Sequence, residues 1–312
     1  MKFTKMFTEL TKDDVLVAGG KGASLGEMTQ AGIPVPPGFV ILSLGFENYI
    51  KENGLNHKID SIVNSVDCNS NDSLNEASEK IKELIMNGKI SKGIEAEIKN
   101  SFVKLNVGFV AVRSSATAED SGEVAWAGQL ESYLNTTKEN LLDNVMRCWA
   151  SLFTPRAIFY RFEQKLNNQK ISVAVIVQKM INSDVSGVAF SVHPITKKRN
   201  EMLIEACFGL GEAIVGGVVT PDSYVINKND WFIENIMIAD QEKAFVKKLH
   251  GGNSWKNLDN TFVQKIGGKR IVELAQLIGR IEYHYGFPCD IEWAMENGNF
   301  FITQSRPITT LD

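Results

Sequence analysis

The chain is poor in the features that usually announce a metal cluster, a disulfide frame or a membrane anchor. Its four cysteines, Cys68, Cys148, Cys207 and Cys289, lie far apart and form no Cys-x-x-Cys pair. That excludes a zinc ribbon or disulfide framework and predicts reduced core thiols of a cytosolic protein. No apolar run approaches the roughly 20 residues a spanning helix needs, so no membrane partner is expected. The amino terminus, Met1-Lys-Phe-Thr-Lys-Met-Phe-Thr-Glu9, lacks a sustained apolar stretch, so no secretory leader is expected and the cytoplasm is the predicted location. Positive charge is not in excess either. With 33 Lys and Arg against 37 Asp and Glu, a net charge of -4 and a pI near 5.7, nucleic acid is excluded as principal partner. Histidine is scarce, and His57, His193, His250 and His284 all fall outside small-residue, glycine-rich loops suited to a phosphate-accepting imidazole, so each reads as structural.

What is present is a large apolar inventory. At 44% hydrophobic over 312 residues, the chain can bury one large core or two smaller ones. Residues 15–17 read as strand, followed by the Gly19-Gly20-Lys21-Gly22 turn and a short helix from Ser24 closed by Gly32. Pro34, Pro36 and Pro37 enforce an extended approach to residues 39–42. Residues 43–105 alternate helical stretches with polar loops, residues 109–113 form a short strand, and helices follow over 141–153 and from Thr154-Pro155. Strands then dominate, at 172–180, 187–191, 202–207, 224–227 and 233–239. A long amphipathic helix carries Ile271, Leu274, Ala275, Leu277, Ile278 and Ile281 on one side and ends near Gly286. Helices in the first half and strands in the second predict an α+β chain in two lobes, residues 1–182 and 183–312, hinged near 180–186.

The last segment, Asp290 to Arg306, alternates like a hairpin around Asn297-Gly298-Asn299. A two-residue turn at Asn297-Gly298 pairs Glu292 with Thr303 and sends Gln304 to the opposite face. A three-residue turn over 297–299 pairs Glu292 with Gln304 and Asp290 with Arg306, and gathers Ile291, Trp293, Met295 and Phe301 on the other face. The second register separates apolar from polar side chains and is the one expected. It places two acids and an amide, hard oxygen ligands of the kind magnesium takes, beside a cation, as a magnesium–triphosphate site requires.

Other segments admit more than one reading. Lys21 sits in a glycine-rich turn before a helix, where backbone N–H groups can face an anion, although the pattern is no Walker A loop because Val15 occupies its first glycine position. Arg113 ends an apolar strand and opens Ser-Ser-Ala-Thr-Ala-Glu-Asp; it either holds phosphate oxygens or pairs with Glu119 or Asp120. Gly128 and Ser132 follow in Ala127-Gly-Gln-Leu-Glu-Ser-Tyr133. Gln178 and Met180 end a buried strand, either as plain core or as a connector meeting a purine. Gly209-Leu-Gly-Glu-Ala-Ile214 has Ile at the sixth position of a dinucleotide fingerprint, which disfavours a Rossmann site and makes Glu212 a candidate to hold ribose hydroxyls instead.

In order along the chain stand Gly-Gly-Lys-Gly-Ala-Ser-Leu-Gly-Glu-Met at 19–28, Pro-Pro-Gly-Phe at 36–39, Val-Arg-Ser-Ser-Ala-Thr-Ala-Glu-Asp at 112–120 and Ala-Gly-Gln at 127–129. Ala-Ser-Leu-Phe at 150–153, Gly-Leu-Gly-Glu at 209–212, His-Tyr-Gly at 284–286, Asp-Ile-Glu-Trp-Ala at 290–294 and Gln-Ser-Arg-Pro at 304–307 complete the set. Over essentially its whole length the chain resembles the ATP-binding domain of phosphoenolpyruvate synthase, pyruvate phosphate dikinase and the related rifamycin phosphotransferases. The resemblance implies an ATP-grasp fold with ATP and magnesium in a cleft between two lobes. It further implies Lys21 and Arg113 on the transferring phosphates, with Arg113 the principal catalytic cation, and Gly128 and Ser132 near the triphosphate. Gln178 and Met180 would meet adenine, Glu212 the ribose, Glu292 and Gln304 with Asp290 the magnesium, and Arg306 a phosphate.

Relatives of this type add a swivelling domain whose histidine takes the phosphoryl group and an acceptor domain for pyruvate or a drug. No histidine here matches the carrier motif. The resemblance therefore implies the donor half of a dikinase, splitting ATP toward AMP and phosphate while phosphorylating a histidine on a separate carrier. The competing expectations are a rifamycin-type phosphotransferase, an ATP-grasp carboxylate–amine ligase making ADP, and a non-catalytic ATP-binding module.

Overall fold

The structure, a computed structural model, describes residues 2–117, 131–164 and 171–311. They form two compact units, Met1–Glu27 with Pro37–Met180, and Met28–Pro36 with Ile181–Asp312. The expected 1–182 and 183–312 division thus misses an excursion: Met28–Pro36 belongs with the second unit. The reason is local bonding, since the amide of Ile302 donates to the carbonyl of Pro34 at 2.9 Å.

The first unit is built on a five-stranded sheet ordered β1-β2-β5-β3-β4, with β1 at Thr4–Met6, β2 at Gly38–Ile41, β3 at Val110–Ala116, β4 at Ser132–Thr136 and β5 at Val173–Lys179. One face presents Phe39, Ile41, Val110, Val112, Val173, Val175 and Val177 to an apolar core. Helices α2 (Ser43–Glu52), α3 (Asn56–Asn64), α4 (Asn71–Met86), α5 (Lys92–Leu105), α6 (Leu141–Ala150) and α7 (Pro155–Glu163) supply the rest of that core, with Trp149 fully buried against Tyr49 at 4.8 Å between ring centroids. Thr154 caps α7 by accepting from the amide of Ala157 at 3.2 Å, and Pro155 takes the first helical position, where a missing N–H costs nothing.

Residues 15–17 are helical, not strand. Helix α1 runs Val15–Gln30 and is broken at Gly19, whose φ of +68° and ψ of 164° are non-helical. A turn just upstream overrides the β-branched residues: Asp14 accepts from the Thr11 amide at 2.9 Å and Thr11 accepts from the Asp13 amide at 3.3 Å. The helix therefore begins before the expected Ser24, while Gly32 ends it with φ +70° as expected. Strands β1 and β4 were not expected at all; both are short and hold few apolar residues.

The second unit holds a six-stranded antiparallel sheet ordered β13-β12-β6-β7-β8-β9: β6 Val185–Phe190, β7 Glu201–Phe208, β8 Asp222–Asn227, β9 Ile233–Met237, β12 Cys289–Glu296 and β13 Asn299–Pro307. Helix α9 (Gly268–Tyr285) buries Ile271, Leu274, Ala275, Ile278 and Ile281 against it. A short helix α8 (Glu212–Val215) follows β7, and an unexpected two-stranded hairpin, β10 (Lys243–Lys247) with β11 (Asn253–Asn257), stands beside it. Cys148, Cys207 and Cys289 are buried free thiols as expected, whereas Cys68 is half-exposed. Burial raises all three core thiols, Cys207 and Cys289 to about 12, so none is a poised nucleophile.

Candidate functional site

In the first unit the non-core sheet face carries the polar residues. Strand residues opposite one another share a face, and Arg113 lies opposite Ser132 on one side and Ile176 on the other. Gln178 pairs with Ala111 and Gly38, two positions along, and so joins the same face. Gln178 is buried, Arg113 and Met180 half-buried and Ser132 exposed; the Met180 amide donates to the Phe109 carbonyl at 3.0 Å. Ser115, two residues after Arg113, extends this face and explains how Lys21 reaches it. The Gly22 amide donates to the Ser115 hydroxyl at 3.4 Å, and a Cβ on Gly19 would sit 2.1 Å from that hydroxyl oxygen. Only glycine tolerates both that approach and the positive φ. The structure thus brings Lys21, Arg113, Ser132 and Gln178 to one sheet face. Gly128, and the alternative partners Glu119 and Asp120 of Arg113, lie outside the described residues.

In the second unit the terminal hairpin pairs Glu292 with Gln304 and Asp290 with Arg306, the expected partners. The route differs. Glu296 pairs with Asn299 across a two-residue turn at Asn297 and Gly298, whose φ values of +49° and +76° are those of a type I′ turn. A β-bulge then intervenes, because Trp293 pairs with Ile302 while Glu292 pairs with Gln304, leaving Thr303 extra. The bulge restores the acid–amide pairing that this turn alone would have lost. It also corrects the apolar face: Phe300 and Ile302 are buried with Ile291 and Trp293, and Phe301 is not among them.

Asp290 is tied to Arg306, with Oδ2 at 2.8 Å from Nε and 2.6 Å from Nη2. Burial nevertheless raises the Asp290 carboxyl, aided by repulsion from Glu292 and opposed by Arg306. A further acid, not identified from sequence, stands on this face. Glu205 on β7 lies across Val188 of β6 from Glu292, and both pairings put it on the Glu292 side. Burial raises its carboxyl, and Asp290 adds to the shift. Its signal was an acid inside the apolar run Met202-Leu-Ile-Glu-Ala-Cys207, which helix or strand periodicity alone passes over. Among the described residues no three His, Cys, Asp or Glu side chains converge as a metal cage. Glu292, Gln304 and Asp290 do offer oxygens on one face, and magnesium needs only one or two carboxylates beside substrate phosphates. Glu212 opens α8 in the same unit and is exposed.

Residues 15–312 match the family model of the pyruvate phosphate dikinase AMP/ATP-binding domain. The chain belongs to that family. This dikinase-family chain is 44% identical over 320 residues to a probable phosphoenolpyruvate synthase of Methanocaldococcus jannaschii, covering 100% of this chain and 27% of that protein. It is 39% identical to the phosphoenolpyruvate synthase of Pyrococcus furiosus, covering 99% of this chain and 44% of the relative. A rifampicin phosphotransferase of Bacillus cereus is 37% identical over 99% of this chain and 36% of its own length. The chain therefore spans less than half the length of these curated relatives. The α+β make-up with antiparallel sheets in both units agrees with the ATP-grasp class that the dikinase-family resemblance implies. Among the described residues no helix is long and apolar enough to cross a membrane.

Proposed function

We infer that this chain binds ATP with magnesium and serves as the phosphoryl-donor part of a dikinase-type phosphotransferase of the phosphoenolpyruvate synthase kind. It passes the β-phosphoryl group of ATP to a histidine on a separate carrier domain or polypeptide, while water takes the γ-phosphoryl group as phosphate and AMP is the nucleotide released. The observation that carries this reading is the family match over 15–312, joined to a face on which Glu292 and Gln304 stand directly opposite. Carboxylate–amine ligation to ADP is disfavoured by the same match.

Phosphoryl transfer asks a protein for positioning and charge neutralisation more than covalent work. In the first unit, Lys21 and Arg113 would hold the transferring phosphates, Arg113 as the principal cation, with Gly128 and Ser132 beside the triphosphate and Gln178 and Met180 at the adenine. In the second, Glu212 would hold the ribose and Arg306 a phosphate. Glu292 and Gln304, with the Asp290 oxygen not bound to Arg306, would hold magnesium. Held by these residues, magnesium would supply neutralisation of the phosphate charge that otherwise resists transfer. Burial raises both half-buried acids, and repulsion adds to it, from Glu292 on Asp290 and from Asp290 on Glu205, which favours a cation on that face. The free, mostly buried cysteines suit a reducing cytoplasm.

The 37% identity to a rifampicin phosphotransferase supports a second reading of the acceptor alone, an antibiotic in place of pyruvate. The donor step is the same in both. Incubation with magnesium and ATP labelled at the β-phosphate, plus a polypeptide bearing the carrier histidine, tests it. An acid-labile phosphohistidine with AMP is expected; ADP as the only nucleotide product overturns the reading.

A further inference from the structure

The turn that delivers Glu212 is held by buried polar side chains that take no part in the proposed site. Strand β7 runs to Phe208, but its pairing with β8 stops at Ala206 opposite Asp222. Beyond that point the side chain of Gln241, 1% exposed, takes the place of the missing strand. Its Oε1 accepts from the Phe208 amide at 2.9 Å, and its Nε2 donates to the carbonyls of Phe208 at 3.0 Å and Lys243 at 2.9 Å. Every polar atom of that amide is used on backbone, the pattern of a brace.

Behind it lies an ion pair with both side chains fully buried: Lys265 Nζ to Asp222 Oδ1 at 2.9 Å. Asp222 also accepts from the Ala239 amide at 2.9 Å, the Lys265 amide at 2.8 Å and the Tyr224 hydroxyl at 2.8 Å. Lys265 donates to the Ala239 carbonyl at 2.6 Å, and its ammonium stands 5.6 Å from the centre of the Phe208 ring. Phe208 is therefore gripped twice, by its backbone through Gln241 and by its ring through Lys265.

The next residues are pinned as tightly. Gly209 has φ +87° and no room for a side chain, since a Cβ would meet the Phe245 carbonyl oxygen at 2.4 Å. Its amide donates to Asp184 at 3.1 Å, its carbonyl accepts from the Ser186 hydroxyl at 2.6 Å, and the Leu210 amide donates to Phe245 at 2.8 Å. Glu212 follows three residues after Gly209. A dense buried network leading into the turn that carries the exposed Glu212 is what holding that carboxylate in one place requires, because small displacements of a contact group cost large factors in binding.

We propose that Gln241, backed by the Asp222–Lys265 pair, is the positioning residue that aims Glu212 at the ribose of the bound nucleotide. This rests on the ribose role of Glu212 given above. The test measures affinities of the full chain for ATP and for 2′,3′-dideoxyATP, which lacks both ribose hydroxyls. Wild type, Gln241→Met and Glu212→Ala are compared by calorimetry with magnesium present. Wild type should prefer ATP by on the order of tenfold or more, the worth of a hydrogen bond to a charged group. Gln241→Met and Glu212→Ala should each bring the ratio of the two affinities toward one. A merely structural role for Gln241 would weaken both nucleotides alike and leave the ratio, and that result overturns the proposal. If Gln241→Met does not fold, Gln241→Glu replaces it: this keeps the acceptor for Phe208 but turns an oxygen toward two carbonyls. A wild-type ratio in that variant overturns the proposal equally. Should Glu212→Ala keep the wild-type ratio, the ribose role itself falls and takes the inference with it. Loss of the ratio in Glu212→Ala alone removes only the role of Gln241.

Discussion

Arg113 shares its sheet face with Ser132, Ser115 and Gln178, and the Lys21 segment packs on that face through Ser115. A bidentate cation set among hydroxyls suits phosphate oxygens. We expect Arg113→Ala to lower phosphoryl transfer by on the order of a thousandfold, as removal of a transition-state cation does, while magnesium-dependent nucleotide binding stays measurable. Unchanged turnover in the variant would remove Arg113 from the mechanism. A second residue acts through the fold. Burial pushes the Asp14 carboxyl up, but Lys5 at 2.8 Å and the Thr11 amide outweigh it, and the net shift is below the ordinary 3.8. A depressed acid contributes stability that is present above its unfolded pKa and lost as pH falls through its folded value. Asp14→Asn should therefore be less stable than wild type at pH 7, by about 1 kcal/mol or less. The difference should shrink as pH falls below 3.8 and vanish only beneath the depressed folded value, as followed by thermal melts across pH. Lys21 and Arg113 are proposed for the site from residue type, neighbours and the family resemblance. Gln241 was not legible in the sequence, because a lone glutamine in a polar stretch carries no pattern until its backbone partners are known.

At the scale of the element, the terminal hairpin shows how a right pairing can have an unexpected cause. The two-residue turn and the bulge at Thr303 each shift the side-chain alternation by one, and together they return Gln304 to the face of Glu292. Sequence alternation revealed the pairing because the apolar and polar sets had to separate. It did not reveal the bulge, since one extra residue in the turn or in the strand produces the same downstream register. The turn demands positive φ at Gly298, at +76°. Gly298→Ala should cost roughly 1 kcal/mol, read as a lower urea midpoint with unchanged slope; no loss would exclude the type I′ geometry. Helix α1 teaches the converse. Residues 15–17 look like strand by propensity, yet the Thr11–Asp14 turn and the Gly19 break decide for helix.

At the scale of the whole molecule, the change from helices to strands leads one to expect two lobes, and chain order gives no sign of the excursion Met28–Pro36. Ile33 is 6% exposed and counts with the second unit although it precedes most of the first. Ile33→Ala should cost about 2–4 kcal/mol, and the loss should fall on the second unit. Hydrogen exchange should quicken at the Ile302 amide, which bonds to Pro34, more than at Ile176 in β5. Equal acceleration at both sites would contradict the assignment of this segment.

The sequence by itself determined the family, the α+β class, the helical core positions and most of the residues proposed to meet nucleotide and metal. These follow from residue chemistry at fixed spacing and from periodicity, both local properties of a chain. Tertiary structure alone decided that Glu205 joins Glu292 and Asp290 on one face, that residues 28–36 belong with the second unit, and that Gln241 completes the end of β7. Each of these depends on segments distant in sequence meeting across strands, where the burial of unpaired backbone groups and charges, rather than any local preference, selects the partner.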